Sequence, residues 1–523
     1  MAVGTMLALG IALRLWSMAR SGWLMDGDEA TFGIMAQHIL HGERPIFLYG
    51  QPYMGALQAY LGAALFAAFG VSRIAFRAVT VPEFMAFGVS IYFLARRVAG
   101  NRVALLATLL AAFPPVYVAA STARLWGPLL DAMTLGNLIL LLAIDEAYGE
   151  TPSRRPWLRY LLMGLCGGVG FWLHGQIIVY LATAAILLLL HDRWILVRPR
   201  LLAAVAGFAA GAAPVLEFAR THSYNTFDQV LGIGAQPVSH NYRAIALFYL
   251  RENLPRVLGV STPWGAGPWW LKLPVALIVG TAILSFTIRR RRGVLGWLTL
   301  SLRQGEPVDA LILFGGVMSV AFVFSSFGAL ALQFPNFDAT GRYAIPLASV
   351  VPIILAAELE RLQHRSELAA VFVTAALLGV TLIGYVRPDP MQVWQSPYWN
   401  RLPPSDTQLI AALDQLGVDA VWINHWAGTP LMFDTHERIA ASDYYDLVIG
   451  HGIDRLSSDS LRVRFAAFPA YVFVTGQPNV PIETWFRNHG IAYDKRVVPD
   501  YVIIRPRQHV YPSQVLQFLS YDQ

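Results

Sequence analysis

The chain is laid out as a series of apolar runs, many close to 20 residues long, that begins at residue 2 and continues to about residue 386. The hydrocarbon core of a bilayer is about 30 Å thick and takes roughly 20 apolar residues of helix to cross. Inside lipid every backbone amide must be bonded within its own segment, so these runs are helices. The candidate spans are 1–19, 74–95, 103–120, 128–146, 159–174, 176–191, 201–218, 272–289, 309–332, 343–360 and 367–386, about eleven in all. Composition agrees: of 523 residues, 56% are hydrophobic and 14% are charged, a membrane balance. The first run reads as a retained anchor, because no small-residue cleavage motif follows it and Asp26, Asp28 and Glu29 stand where processing would occur.

Arginine placement orients the spans. With a cytoplasmic amino terminus, Arg96, Arg97 and Arg102, Arg154 and Arg155, Arg193, Arg198 and Arg200, Arg289 to Arg292, and Arg361 and Arg365 all fall in loops on one side. The net charge of +6 therefore concerns topology and contact with anionic lipid, not nucleic acid. The apolar stretch Tyr53–Phe69 would invert every later loop if it crossed. Residues 52–70 are accordingly expected to form an interfacial or re-entrant helix. The same parity puts loops 20–73, 219–271 and 333–342 outside the cytoplasm, with everything after 386. The single cysteine, Cys166, lies in an apolar run, which excludes a disulfide framework or thiolate metal site within the chain.

From Arg387 the texture changes. Pro388, Pro390, Pro397, Pro403 and Pro404 mark a linker, and polar residues become frequent. A helix over Asp406–Leu416, a strand near Val418–Ile423, strands at Ala470–Val474 and Tyr501–Ile504, and a helix over Ile482–His489 predict a small soluble α/β domain. The organisation expected is a transmembrane region, 1–386, with its first outer loop at 20–73, and an extracytoplasmic domain, 387–523.

The chemistry-bearing feature is Asp26-Gly27-Asp28-Glu29, three carboxylates directly after the first span. Phe32, Met35, Ala36 and Ile39 follow at i, i+3, i+4, i+7, which predicts an amphipathic helix lying at the membrane surface with Asp28 and Glu29 at its positive end. On position alone Asp28 serves equally well as an N-cap or as a reactive carboxylate. Asp26-Gly27-Asp28 also has the form of a metal-chelating pair, but no strand of a nucleotide-binding sheet precedes it and no further ligand cluster accompanies it.

Together with Gly42-Glu43, Tyr49-Gly50-Gln51-Pro52-Tyr53-Met54-Gly55, Phe69-Gly70, Arg77 and the later Arg342-Tyr343, this loop resembles the first outer loop of GT-C glycosyltransferases. The branch is the one that holds protein O-mannosyltransferase-like and aminoarabinose-transferase-like enzymes. The resemblance implies a polytopic α-helical membrane fold with outer interfacial helices and a C-terminal soluble domain. It further implies transfer of a sugar, with inversion, from a polyprenyl-phosphate donor to an acceptor (protein, lipid or glycan) on the extracytoplasmic face, here of a bacterial plasma membrane. No cofactor is implied, and dependence on a divalent metal is left open.

By the same resemblance Asp28 is the general base, Glu29 its support, and Asp26 the alternate should the register shift. Arg342 with Tyr343 would hold the donor phosphate. Arg124 and His174, at outer turns, would contact phosphate or sugar, and Tyr49, Gln51 and Tyr53 would line the sugar. The tryptophans Trp264, Trp269 and Trp270 suit a cover over a lipid groove. Each also has a plainer reading: arginines snorkel to headgroups, and aromatics and lone histidines gather at any interface. A transporter or flippase would be expected to carry midplane charges, whereas these spans are poor in charge. A polysaccharide polymerase or ligase, or a non-catalytic assembly subunit, remains a competing expectation.

Overall fold

The computed structural model describes the chain except residues 150–154, 223–240, 262–268, 299–301, 303–304, 326–327, 330–337, 388, 390–392, 395–401, 444–454, 476–479 and 516–523. Arg154, Trp264, Pro388, Pro390 and Pro397 lie outside the described residues. So do the side chains of Trp269, Trp270 and Asp338 to Gly341. Two compact units are present. The first comprises Met1–Ser17, Tyr53–Gly55 and Thr80–Val393; the second comprises Met18–Pro52, Ala56–Val79 and Trp394–Gln523.

The first unit is a helical bundle. Five helices are individually long and apolar enough to cross a membrane among the described residues, and seven if each of two bent pairs is one span. One bent pair, Arg200–Gly211 with Ala213–Thr221, turns by 58° inside the expected span 201–218. The other, Arg342–Ser349 with Val351–Gln363, turns by 41° inside the expected span 343–360. The expected spans 74–95 and 103–120 are shifted: Arg73–Arg77 is a short helix of its own, and the long helix runs Thr80–Ala112 with a break at Gly100, whose φ is 87°. Pro114 and Pro115 then end it, and Val116–Ala123 begins afresh.

Close packing in this unit relies on small residues. A Cβ on Gly164 would meet the Ala204 carbonyl oxygen at 1.9 Å, and one on Gly207 would meet that of Leu161 at 2.2 Å. Gly168 and Gly211, each four residues further on, are equally tight, so the helices Pro156–Leu173 and Arg200–Gly211 touch backbone to backbone. Several of the basic loops are tied by ion pairs. Arg97 meets Asp145, Arg200 lies 2.9 Å from both Glu146 and Asp192, and Arg290 lies 2.7 Å from Glu306.

The segment read as interfacial contains the strand β2 (Gln51–Gly55), which follows β1 (Phe47–Leu48), and then a helix, Leu57–Phe69. Thirteen residues of helix rise about 20 Å, short of a hydrocarbon core.

In the second unit the C-terminal strands β3 (Ala420–Ile423), β4 (Ala440–Ser442), β5 (Ala470–Val474), β6 (Tyr493–Val498) and β7 (Tyr501–Pro506) form one sheet in the order β4-β3-β5-β7-β6. β3 runs parallel to β4 and β5, and β7 runs antiparallel to β5 and β6. β3, β5 and nearly all of β7 are buried runs, as central strands should be, and Trp422, Tyr471, Phe473, Phe486 and Ile504 form their core. The expected helices and these three strands are present. β4, β6, and the helices His425–Asp434 and Ser457–Phe465 were not anticipated.

The same unit includes the first outer loop. Its helix, Gly27–Leu40, is buried along Gly27 to Gln37, so it does not lie at a surface with a solvated polar face as its apolar spacing suggested. The physical reason is that the C-terminal domain covers it. Gly33 faces the Phe433 ring, where a Cβ would come to 2.7 Å, and Gln37 donates to the Phe433 carbonyl at 3.3 Å. Phe66, Phe76 and Phe433 form an aromatic cluster with centroids 5.9 to 6.4 Å apart. Arg73 fastens it, with hydrogen bonds of 2.8 Å to Asp406 and 2.6 Å to Asp434.

Candidate functional site

The three carboxylates of the acidic loop have different surroundings. Asp26, not Asp28, is the N-cap: its Oδ1 accepts the Glu29 amide at 3.1 Å, and Glu29 Oε2 accepts the Asp26 amide at 3.2 Å, completing a capping box. Glu29 also receives the fork of Arg77, whose Nη2 lies 2.8 Å from Oε2, and Arg77 in turn bonds the Leu24 carbonyl. Glu29 is fully buried and Arg77 is 1% exposed. Such a pair sets the loop's shape, and the cost of breaking it is high.

Asp28 is outside the capping box. It occupies the second helical position and forms an ion pair with Arg455 of the C-terminal domain. The His425 ring stands beside them, since a Cβ on Gly27 would come within 2.8 Å of His425 Nε2. Glycine at position 27 is thus required by the close approach of the helix His425–Asp434. Burial pushes the His425 imidazole down to about 3, so it is neutral at ordinary pH.

Tyr49 belongs to another network of this unit. Its hydroxyl donates to Glu43 at 2.7 Å and lies 2.9 Å from His38 Nδ1, while His38 Nε2 lies 2.7 Å from Glu437. The hydrogen bond to Glu437 raises the His38 pKa. His436 and Glu437 both have positive φ, 51° and 57°, so the backbone is held in a conformation non-glycine residues seldom adopt in order to present them to Gln37 and His38. Gln51 is buried, with no hydrogen-bond partner for its Oε1.

The first unit gathers the cationic candidates. Arg124 and Arg342 both face the Trp126 indole, with guanidinium carbons 4.7 and 5.6 Å from its centroid. Arg342 also lies 5.1 Å from the Tyr343 ring and donates to its hydroxyl at 3.1 Å. Gln176 Nε2 donates to the Tyr343 carbonyl at 2.8 Å, and the Gln176 backbone N–H donates to His174 Nδ1 at 3.3 Å. His174 bridges to Met54, the neighbour of Tyr53. Arg124, His174, Arg342 and Tyr343 are therefore neighbours, 219 residues apart in sequence from first to last. Two cations around one indole, with an amide and an imidazole adjacent, suit an anion carrying several oxygens.

Sequence reasoning missed Trp126, Gln176, His425 and Arg455. The first two stand close after Arg124 and His174 in the same outer turns, but the last two had no local signal. It also missed Arg14, buried in the first span, which donates to Thr122 at 3.0 Å and sits 4.0 Å over the Phe84 ring. Among the described residues no group of three or more His, Cys, Asp or Glu could hold a metal ion.

Residues 51–218 match the family described as dolichyl-phosphate-mannose-protein mannosyltransferase. No curated protein sequence matches the chain significantly. In structure it is similar to ArnT from Cupriavidus metallidurans bound to undecaprenyl phosphate, at 11% identity and TM-score 0.64 over 96% of this chain and 97% of that one. The apo state of that protein gives 13% identity and TM-score 0.63 over the same shares. The oligosaccharyltransferase of Archaeoglobus fulgidus in complex with Zn and sulfate is more distant, at 14% identity and TM-score 0.50 over 90% of this chain and 68% of that one. The chain thus has the fold of the GT-C glycosyltransferases, built from a multi-pass helical region and a C-terminal sheet domain.

Proposed function

We propose that the protein is a membrane glycosyltransferase that moves a sugar from a polyprenyl-phosphate donor to an acceptor hydroxyl on the extracytoplasmic face of a bacterial plasma membrane. The observation that carries this reading is the division of labour in the acidic loop: Asp26 and Glu29 form the capping box, and Asp28, outside it, meets a cation from the C-terminal domain. Likeness to ArnT, which was crystallised with undecaprenyl phosphate, supports the donor class.

In this mechanism Asp28 accepts the proton of the acceptor hydroxyl as its oxygen bonds to the anomeric carbon. The bond from that carbon to the phosphate oxygen breaks, and the electron pair leaves with the polyprenyl phosphate. Arg342 and Arg124 stabilise that anion, with Trp126 and Tyr343 fixing the two guanidiniums. One displacement inverts the anomeric configuration. Glu29 acts through Arg77 and the helix terminus as a positioning residue. Tyr53, Gln51 and Tyr49 remain assigned to the sugar side.

The test is consumption of a synthetic polyprenyl-phosphate sugar by the purified protein in the presence of a mixed protein, lipid and glycan acceptor pool. Arg342→Ala should slow release of polyprenyl phosphate at least about a hundredfold, the size of losing one oxyanion partner. No consumption of any such donor would remove the enzyme class.

A further inference from the structure

Arg14 is a cation placed inside the apolar helix Ala2–Arg20, where it is 6% exposed. Among the described residues no carboxylate forms an ion pair with it. A charge within a membrane span is costly and is kept where it serves a specific contact. An apolar side chain of similar length would fill the same space at lower cost, so the directed hydrogen bonds of Arg14 are what its charge provides.

Those bonds converge on one short helix, Val116–Ala123. Arg14 Nη1 donates to Thr122 Oγ1 at 3.0 Å and to the Ala119 carbonyl at 3.4 Å. Thr122 Oγ1 gives its own hydrogen to the Val118 carbonyl at 2.7 Å, which leaves its lone pairs to Arg14. The Phe84 ring, from the long helix Thr80–Ala112, stands 4.0 Å from the guanidinium carbon and holds it from the other side. Arg14 thereby ties the last turn of the short helix to the first span, with its charge toward the helix's negative end.

Arg124 is the first residue beyond that turn. It is the C-cap, extended with φ −88° and ψ 140°, and its guanidinium carbon lies 4.7 Å from the Trp126 indole that it shares with Arg342. The helix before it has only eight residues, so its end is held by tertiary contacts and not by its own length. The same helix packs on the segment Asp338–Ser349, which carries Arg342. Building on the transferase reading above, we propose that Arg14 is a positioning residue: through Thr122 and the end of this helix it aims Arg124 at the donor phosphate, without touching the phosphate itself.

The test titrates the full-length protein in detergent with a polyprenyl phosphate, and with the uncharged polyprenol as control. Arg14→Met suits an apolar span and should melt no lower than the parent. It should nevertheless bind the polyprenyl phosphate about tenfold more weakly, the worth of one hydrogen bond to a charged group, and bind the polyprenol as the parent does. Arg14→Lys, which keeps the charge and a donor, should recover part of the loss. Because Arg14 acts through Arg124, Arg14→Met combined with Arg124→Ala should bind no more weakly than Arg124→Ala alone. Should Arg14→Met fail to fold, Thr122→Val takes its place in the same cycle. The idea is overturned if the folded variant binds polyprenyl phosphate as the parent does, if polyprenol binding falls equally, or if the two losses multiply in the double variant. Parent-like binding by Arg124→Ala removes Arg124 from the donor site and this inference with it. Titration consumes no sugar donor, so the two readings fail separately. Donor consumption without coupling removes the role of Arg14, whereas coupling without donor consumption keeps that role in phosphate binding and removes the transferase reading.

Discussion

Arg455 pairs with Asp28 across 427 residues of sequence, and both side chains are almost fully buried. The pair joins the carboxylate proposed as base to the C-terminal sheet domain. Both residues belong to one compact unit, in which most of the outer loop is packed together with the tail.

The neighbouring pair should behave differently. Glu29→Gln or Arg77→Ala leaves a buried charge without its counter-ion, which costs about 3–5 kcal/mol. Asp26→Ala removes the cap, about 1 kcal/mol. Thermal unfolding of the purified protein should rank them in that order, and equal losses would contradict the capping-box assignment.

Gly27 and Gly33 should tolerate no side chain. A Cβ at Gly27 would lie 2.8 Å from His425 Nε2 and 3.0 Å from the His425 carbonyl oxygen, which cannot yield as a flexible side chain would. Gly27→Ala should destabilise by about 1–3 kcal/mol, the usual cost of overpacking. A melting temperature equal to the parent's would show that the two helices are less closely apposed.

Two histidines should give opposite pH signatures in stability. His38 has a raised pKa, so its contribution is complete below about 6.5 and is lost as pH rises through its folded value. His38→Gln should therefore cost more at pH 6 than at pH 9. His425, pushed down to about 3, favours folding above about 6.5 and opposes it increasingly as pH falls. His425→Phe should lose less stability than the parent between pH 7 and pH 4.5. Denaturant melts at those pH values check both signs.

Much of this was legible in the chain. Apolar run length gives the helical membrane region, and the short, strand-led stretch at residues 51–69 is consistent with exclusion from the spans by arginine parity. The motifs around Arg124, His174 and Arg342 are neighbours in the first unit. The bend at Ala212, inside the expected span 201–218, was not legible, because composition does not register backbone direction. The acidic helix was misplaced at a surface because its apolar spacing cannot reveal that a distant domain buries the remaining faces. His425 and Arg455 were invisible for the same reason: their importance comes from a contact made across the whole sequence.

The central claim is that Asp28 takes the proton in a sugar transfer, and single-turnover release of polyprenyl phosphate from a synthetic donor, with acceptor present, tests it most directly. The parent should release it with glycosylation of the acceptor, and folded Asp28→Asn should do so at least about a hundredfold more slowly, as loss of a general base requires. Folded Asp28→Asn turning over at the parent's rate would contradict the account.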